Sequence, residues 1–360
     1  MSTIGFGSSS AGLTIATVAT EHPMGAEAYQ EQVARRAADS LRDVDGRDWA
    51  VRRLVVRSMR SPLAGDRRLP VSRVAAASAE MRRSIGRLVY GRRRDVVHRM
   101  NLELPPPPGA DVITIHDIVA WRFPDESPPV PAAIEEARRA DAIICVSEFS
   151  AREAIGLLGI AEPHVVHNGV DERFFDAPML EGDARRALGL PDDYVLHAGG
   201  ASRRKNLEAL AEAWPSVRRE RPGLELVLAG PPHRRRTELF AGMPGVRLVG
   251  RLPDEAMPGV VATANVVVVP SLYEGFGLPA LEAMAANVPV VAANTSSLPE
   301  VVGDAGILVD PTGAGVAEGL IAATGSDHAL DLVHAARERA ARFTWERSAE
   351  GHARIWASLA

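Results

Sequence analysis

The feature that most constrains this chain is a run of valines followed at once by a glycine loop. Val266-Val267-Val268-Val269-Pro270 is uniformly apolar and β-branched, as a strand buried on both faces must be. Four residues later comes Glu274-Gly275-Phe276-Gly277-Leu278-Pro279-Ala280-Leu281-Glu282-Ala283-Met284. Two glycines permit a tight turn. Pro279 suits the first turn of a helix, where its missing N–H would have had no partner. Strand, glycine turn and helix start place backbone N–H groups at the carboxyl end of a sheet, where anions and sugar oxygens are held. Two carboxylates, Glu274 and Glu282, flank this turn with seven residues between them.

The pair of carboxylates with its intervening Gly-Phe-Gly-Leu-Pro resembles the E-x7-E motif of the retaining glycosyltransferases of family 4, which have the GT-B fold. The resemblance implies two doubly wound Rossmann-like α/β domains facing each other across a cleft. It also implies a nucleoside-diphosphate sugar as donor.

Length and composition fit that expectation. A chain of 360 residues has room for about two domains. With 46% hydrophobic and 24% charged residues it has an ordinary globular composition. No apolar run reaches the roughly 18 residues that span a bilayer. Met1 to Gly12 has neither a basic start nor a long apolar core, so it does not read as a secretion signal. Cys145 is the single cysteine, which excludes an intrachain disulfide and a cysteine-based zinc site. A cytoplasmic enzyme is expected.

Taken in order, Leu13 to Thr20 reads as a first strand, Glu21 to Gly25 as a turn and Ala26 to Leu41 as a helix. Gly25 thus lies in the first strand-to-helix turn, which the resemblance places on the acceptor side. Trp49 to Val56 reads as a strand, and Val71 to Val89 as one helix whose apolar face is Met81, Ile85, Leu88 and Val89. Between Arg52 and Arg99 there are 14 arginines against three acids. The segment Arg82–Arg94 therefore reads either as a solvated face or as a peripheral contact with anionic lipid at the inner face of the membrane. Nucleic acid is not expected, because no aromatic residues interleave with the arginines. Asp111 to Ile115 alternates as a strand and ends in His116-Asp117. The resemblance gives His116, with Asp117 beside it, a place at the donor sugar and acceptor.

Val165-Val166-His167-Asn168-Gly169-Val170-Asp171 is similar to the family's interdomain hinge, with His167 where proline is usual. The expected domains are 1–169, joined by a C-terminal helix from about 345 to 360 that crosses back, and 170–344. The second opens with a strand, Tyr194 to Ala198, then Gly199-Gly200-Ala201-Ser202-Arg203-Arg204-Lys205-Asn206 and a helix from Leu207 to Trp214. Lys205 is the only lysine in the chain. Three cations at a helix start oppose the helix dipole, which makes sense if a pyrophosphate lies between them. The family usually has arginine directly after the first glycine. Here that position is Gly200, and Arg204 is expected to supply the guanidinium.

The resemblance implies a division of roles. Gly199, Gly200, Arg204, Lys205 and the backbone of Gly275, Phe276, Gly277 and Leu278 would hold the diphosphate. Gly250, Arg251 and Leu252 would hold the base, Glu282 the ribose, and Glu274 the sugar hydroxyls. Catalysis would rest on Glu274, His116, Lys205 and Arg204, with neither metal nor cofactor. The reaction would retain anomeric configuration while moving a hexose to a glycan, a lipid-linked acceptor or a small molecule. GDP-mannose is the expected donor, with UDP-glucose and dTDP-rhamnose open. A non-catalytic nucleotide-sugar-binding protein and a sugar-nucleotide epimerase of the same fold are the competing readings.

Overall fold

The computed structural model describes residues 11–21, 25–91, 95–123, 126, 128–325 and 328–360. Residues 22–24 of the expected turn Glu21–Gly25, and the triplet 92–94, lie outside the described residues. The chain divides into two compact units, Met1–Gly169 with Trp345–Ala360, and Val170–Thr344.

The first unit is built on seven parallel strands: β1 Gly12–Val18, β2 Ala50–Ser58, β3 Arg67–Leu69, β4 Val96–Arg99, β5 Asp111–Ile115, β6 Ala142–Cys145 and β7 His164–Val165. Their order is β3-β2-β1-β4-β5-β6-β7. Strands β4, β5 and β6 are buried along their whole length, β6 as an unbroken apolar run and β4 and β5 with His98, Arg99, Asp111 and Thr114 buried among their apolar residues. Helix Gly25–Asp45 buries Tyr29, Val33, Ala37 and Leu41, one residue per turn. Helix Trp345–Ser358 packs beside it through a stripe that includes Trp345, Ala349, His352 and Trp356.

The arginine-rich segment differs from the expectation. It forms two helices, Val71–Ala75 and Ala79–Tyr90, because Ser78 caps the second: its hydroxyl accepts from the Met81 N–H at 3.3 Å. The buried face of that second helix is Ala79, Arg82, Gly86, Val89 and Tyr90, so Met81 and Leu88 stand 58% and 77% exposed. Arg82 is unavailable to a membrane. Its guanidinium is fully buried, donates to both Glu136 oxygens at 2.6 and 3.0 Å, and satisfies the carbonyls of Val74, Leu102 and Leu104. Arg99 shares Glu136 at 2.9 Å and forks onto Asp111 at 2.8 and 2.7 Å. These arginines are fold-forming groups rather than surface charge.

The second unit has six parallel strands: β8 Tyr194–Ala198, β9 Glu225–Ala229, β10 Val246–Gly250, β11 Val266–Val269, β12 Val290–Ala293 and β13 Ile307–Val309. The order β10-β9-β8-β11-β12-β13 reverses direction between β8 and β11, which pair directly through Val195 and Val266. A doubly wound sheet opens a crevice at such a reversal, outside the carboxyl ends of the two strands. The core beneath it includes Leu196, Leu226, Leu228, Val267 and Val291, each essentially without exposed surface. Among the described residues no helix is long and apolar enough to cross a membrane.

Candidate active site

The loops that leave β8 and β11 carry the charged residues of the second unit's crevice. On the β11 side the chain turns at Pro270 and buries Glu274. Oε1 of Glu274 accepts from Lys205 Nζ at 2.7 Å and from Ser271 Oγ at 2.7 Å, and Oε2 accepts from Arg204 Nη1 at 3.2 Å. Burial alone would raise the Glu274 pKa. The charges of Lys205 and Arg204 and the hydrogen bonds from Lys205 and Ser271 outweigh it and hold the carboxyl below its ordinary value. Glu274 is therefore an ionised carboxylate out of solvent, fixed by two cations.

The turn around it is equally tied. Ser296 Oγ accepts from the Glu274 N–H at 3.0 Å, and the Ser297 hydroxyl is shared between the carbonyls of Glu274 and Phe276 at 2.9 and 2.8 Å. Gly277 sits at φ 105°, a conformation closed to side-chain-bearing residues, and helix Leu278–Ala285 starts directly after it with Pro279 in its first turn. The Phe276 ring is buried edge-on to Phe343, with centroids 5.8 Å apart, so only its backbone can meet a ligand. Glu282 lies one turn into the helix. Burial, then the charge of Asp171, push its carboxyl up to about 8, against the lowering effect of Arg173. The family resemblance implies a ribose-binding role for this carboxyl group.

On the β8 side, Gly199 follows the strand and Gly200 has open space where a side chain would start. Arg203–Lys205 form a single 3-10 turn, and Asn206 stands in the left-handed region at φ 54°. The Asn206 amide donates to the carbonyls of Pro270 and Pro311, both at 2.9 Å, which locks the two loops together. Helix Leu207–Glu220 begins only after this turn. Arg204 and Lys205 accordingly have a carboxylate partner within the protein, which eases the expected clash with the helix dipole.

The remaining expected residues are placed as follows. Gly250, at φ 72°, ends β10, and its carbonyl accepts from the Gly230 N–H at 2.8 Å. Arg251 is exposed, while the Leu252 side chain is buried. In the first unit, Gly25 is the exposed first residue of helix Gly25–Asp45. His116 follows β5, edge-on to Tyr29 at 4.6 Å, with a buried Nε2 that has no partner. Burial pushes its pKa down to about 4, so it is neutral. Asp117 Oδ1 accepts from the Val119 N–H at 3.0 Å.

Sequence reasoning missed Ser271, whose only signal is its closeness to the glycine loop, and Ser296 and Ser297, which lie 22 and 23 residues from Glu274 and carry no local signal. It also missed His197 and Arg236, which lie beneath Gly199. The signal for His197 was the one used for His116, a histidine at the carboxyl end of a strand. Among the described residues no group of three or more His, Cys, Asp or Glu is placed to hold a metal ion.

Comparison with known proteins follows the division into two units. Residues 33–174 match Glycosyltransferase Family 4, and residues 192–324 match Glycosyl transferases group 1. The chain is 32% identical over 272 residues to the O-antigen chain mannosyltransferase B of Escherichia coli, covering 70% of this chain and 71% of that one. The chain is a family 4 glycosyltransferase. This glycosyltransferase is also 32% identical over 216 residues to the GDP-mannose-dependent alpha-(1-6)-phosphatidylinositol dimannoside mannosyltransferase of Mycobacterium tuberculosis, 58% of this chain and 55% of that one. It spans only 30% of the serotype-specific mannosyltransferase WbdA of Escherichia coli, with 30% identity over 244 residues. Among solved structures, a sucrose-phosphate synthase from Thermosynechococcus elongatus superposes with a TM-score of 0.77 at 20% identity, covering 97% of the glycosyltransferase and 99% of that chain. WaaG, a glycosyltransferase involved in lipopolysaccharide biosynthesis, superposes with a TM-score of 0.70 at 16% identity, covering 95% and 99%. The glycosyltransferase has the GT-B fold.

Proposed function

We propose that this glycosyltransferase moves mannose from GDP-mannose to a hydroxyl of a glycan or lipid-linked acceptor, with retention of anomeric configuration and without a metal ion. The observation that carries this reading is the Arg204–Glu274–Lys205 triad at the point where β8 and β11 part. Lys205 has three N–H donors and Arg204 five, so both can hold Glu274 and still donate to a ligand. As the glycosidic bond breaks, negative charge grows on the departing diphosphate. Fixed cations aimed at that charge favour the transition state over the ground state. This is work that a divalent ion would otherwise do.

Retention by double displacement needs a free carboxylate nucleophile. Both Glu274 oxygens are engaged by cations, and its lowered pKa makes it a weak nucleophile. That supports same-face attack by the acceptor hydroxyl, with its proton passing to the departing phosphate and Glu274 holding the sugar. The choice of mannose and GDP is supported by the names of the mannosyltransferases to which the chain is similar. The test is a thermal-shift panel of GDP, UDP and dTDP, since a ligand of the native state raises its melting point by mass action. GDP should give the largest shift, and NMR of the product should show the donor's anomeric configuration. Absence of a shift with every diphosphate would remove the donor-site assignment, and an inverted product would remove the mechanism.

A further inference from the structure

Beneath Gly199 lies a charge that nothing in the site so far accounts for. Arg236, on helix Arg234–Leu239, is 2% exposed. Its guanidinium donates to the carbonyls of Gly199 and Pro231, and its Nε has no partner. Among the described residues no carboxylate pairs with it: the neighbouring acids are taken, Glu208 by Arg235 and Glu238 by Arg234. A buried cation without an anion is costly, and proteins seldom keep one without a use for it. The other buried titratable side chain at this place does not offset the charge. His197 is 2% exposed, its Nδ1 lies 3.2 Å from the Val268 carbonyl, and its Nε2 has no partner. A nitrogen facing a carbonyl carries a proton, so in the neutral ring Nε2 presents a lone pair. Burial first, and then the charges of Lys205 and Arg236, push its pKa down to about 4 and keep the ring neutral.

Glu274 is already shared by Arg204 and Lys205, so it does not balance the charge of Arg236. Above them, Gly200 leaves open the space that a side chain would fill. We propose that Arg236 is a positioning residue of the diphosphate subsite, holding the Gly199 carbonyl in place and supplying a buried charge that is balanced when a diphosphate lies over Gly199 and Gly200. The inference rests on the donor-site reading above and adds to it a third cation that acts from below the loop, without touching the ligand. In so dry a place its field is screened far less than that of an exposed arginine.

Two substitutions separate charge from hydrogen bonding. Arg236→Gln keeps an N–H donor for the Gly199 carbonyl and removes the charge, whereas Arg236→Lys keeps the charge. Calorimetric titration of the full chain with GDP and UDP, and NMR titration with guanosine and uridine, read the outcome. The Gln variant should bind diphosphates about tenfold more weakly with nucleoside affinity unchanged, and the Lys variant should stay within about threefold of the parent. Arg236→Met serves as the neutral variant should the Gln protein fail to fold. Wild-type diphosphate affinity in the neutral variant, equal loss for diphosphate and nucleoside, or equal loss in the Lys and Gln variants would overturn the proposal. A parent protein that binds neither diphosphate would instead overturn the donor-site reading itself.

Discussion

Lys205 Nζ lies 2.7 Å from Glu274 Oε1, although 69 residues separate them in the chain. They meet because β8 and β11 are neighbours in the sheet while β9 and β10 intervene in sequence. The ion pair couples the two halves of the site. Any anion that attracts Lys205 competes with Glu274, and any sugar hydroxyl that engages Glu274 loosens its hold on Lys205. On the proposed donor-site reading, binding of diphosphate and binding of sugar would be linked through one carboxylate.

That coupling predicts a split between binding and turnover. Glu274→Gln keeps the shape but removes the anion that Arg204 and Lys205 share, so both cations act more strongly on an anionic ligand. GDP should bind about 3–10-fold more tightly, while transfer falls by about a thousandfold or more because the sugar loses its charged anchor. Calorimetry and a product assay on one protein preparation measure both. Weaker GDP binding together with near-normal turnover would remove Glu274 from the site.

Lys205→Ala acts in the opposite direction. It removes a cation from the diphosphate and leaves Glu274 with Arg204 and Ser271. Diphosphate affinity should fall about 10–100-fold, with nucleoside affinity nearly unchanged. Equal losses for GDP and guanosine would place the lysine elsewhere.

What was legible in the sequence is what is local. The valine strand, the glycine turn and Pro279 in the first turn of the helix each declare themselves within a few residues. The triad did not. Its members were legible separately, as a basic cluster awaiting an anion and a carboxylate awaiting a sugar, but their pairing depends on strand order. The helix Ala79–Tyr90 shows the same limit. Met81, Ile85, Leu88 and Val89 recur at helical spacing, yet the face that turns inward is set by Arg82, whose partner Glu136 lies 54 residues away. Local periodicity ranks Arg82 as a surface residue, because nothing local announces a buried acid to meet it.

The buried network predicts that charge in the first unit stabilises very unevenly. Glu136→Ala would leave the guanidiniums of Arg82 and Arg99 without their shared carboxylate, a loss of about 3–5 kcal/mol. Glu135→Ala removes only exposed pairs with Arg83 and Arg139 and should cost less than about 1 kcal/mol. Urea unfolding of the two variants side by side is the measurement. Similar midpoints would mean that Glu136 does not hold Arg82 and Arg99 as described.

Glu282 yields a pH-dependent prediction of definite sign. Its folded-state pKa of about 8 lies above the ordinary 4.5. Below pH 4.5 the carboxyl is protonated whether the chain is folded or not, and it contributes nothing to the pH dependence. Between 4.5 and about 8 the unfolded chain ionises and the folded one does not, so stability is lost as pH rises, and the loss levels off above 8. Glu282→Gln, which mimics the neutral acid, should therefore be more stable than the parent by about 1–3 kcal/mol at pH 8 and nearly equal to it at pH 4.5. Melting curves of both proteins at the two pH values decide the matter. A gain of equal size at both would show that the change is one of packing, and a loss at pH 8 would show that the carboxyl is ionised in the folded protein and held by Arg173.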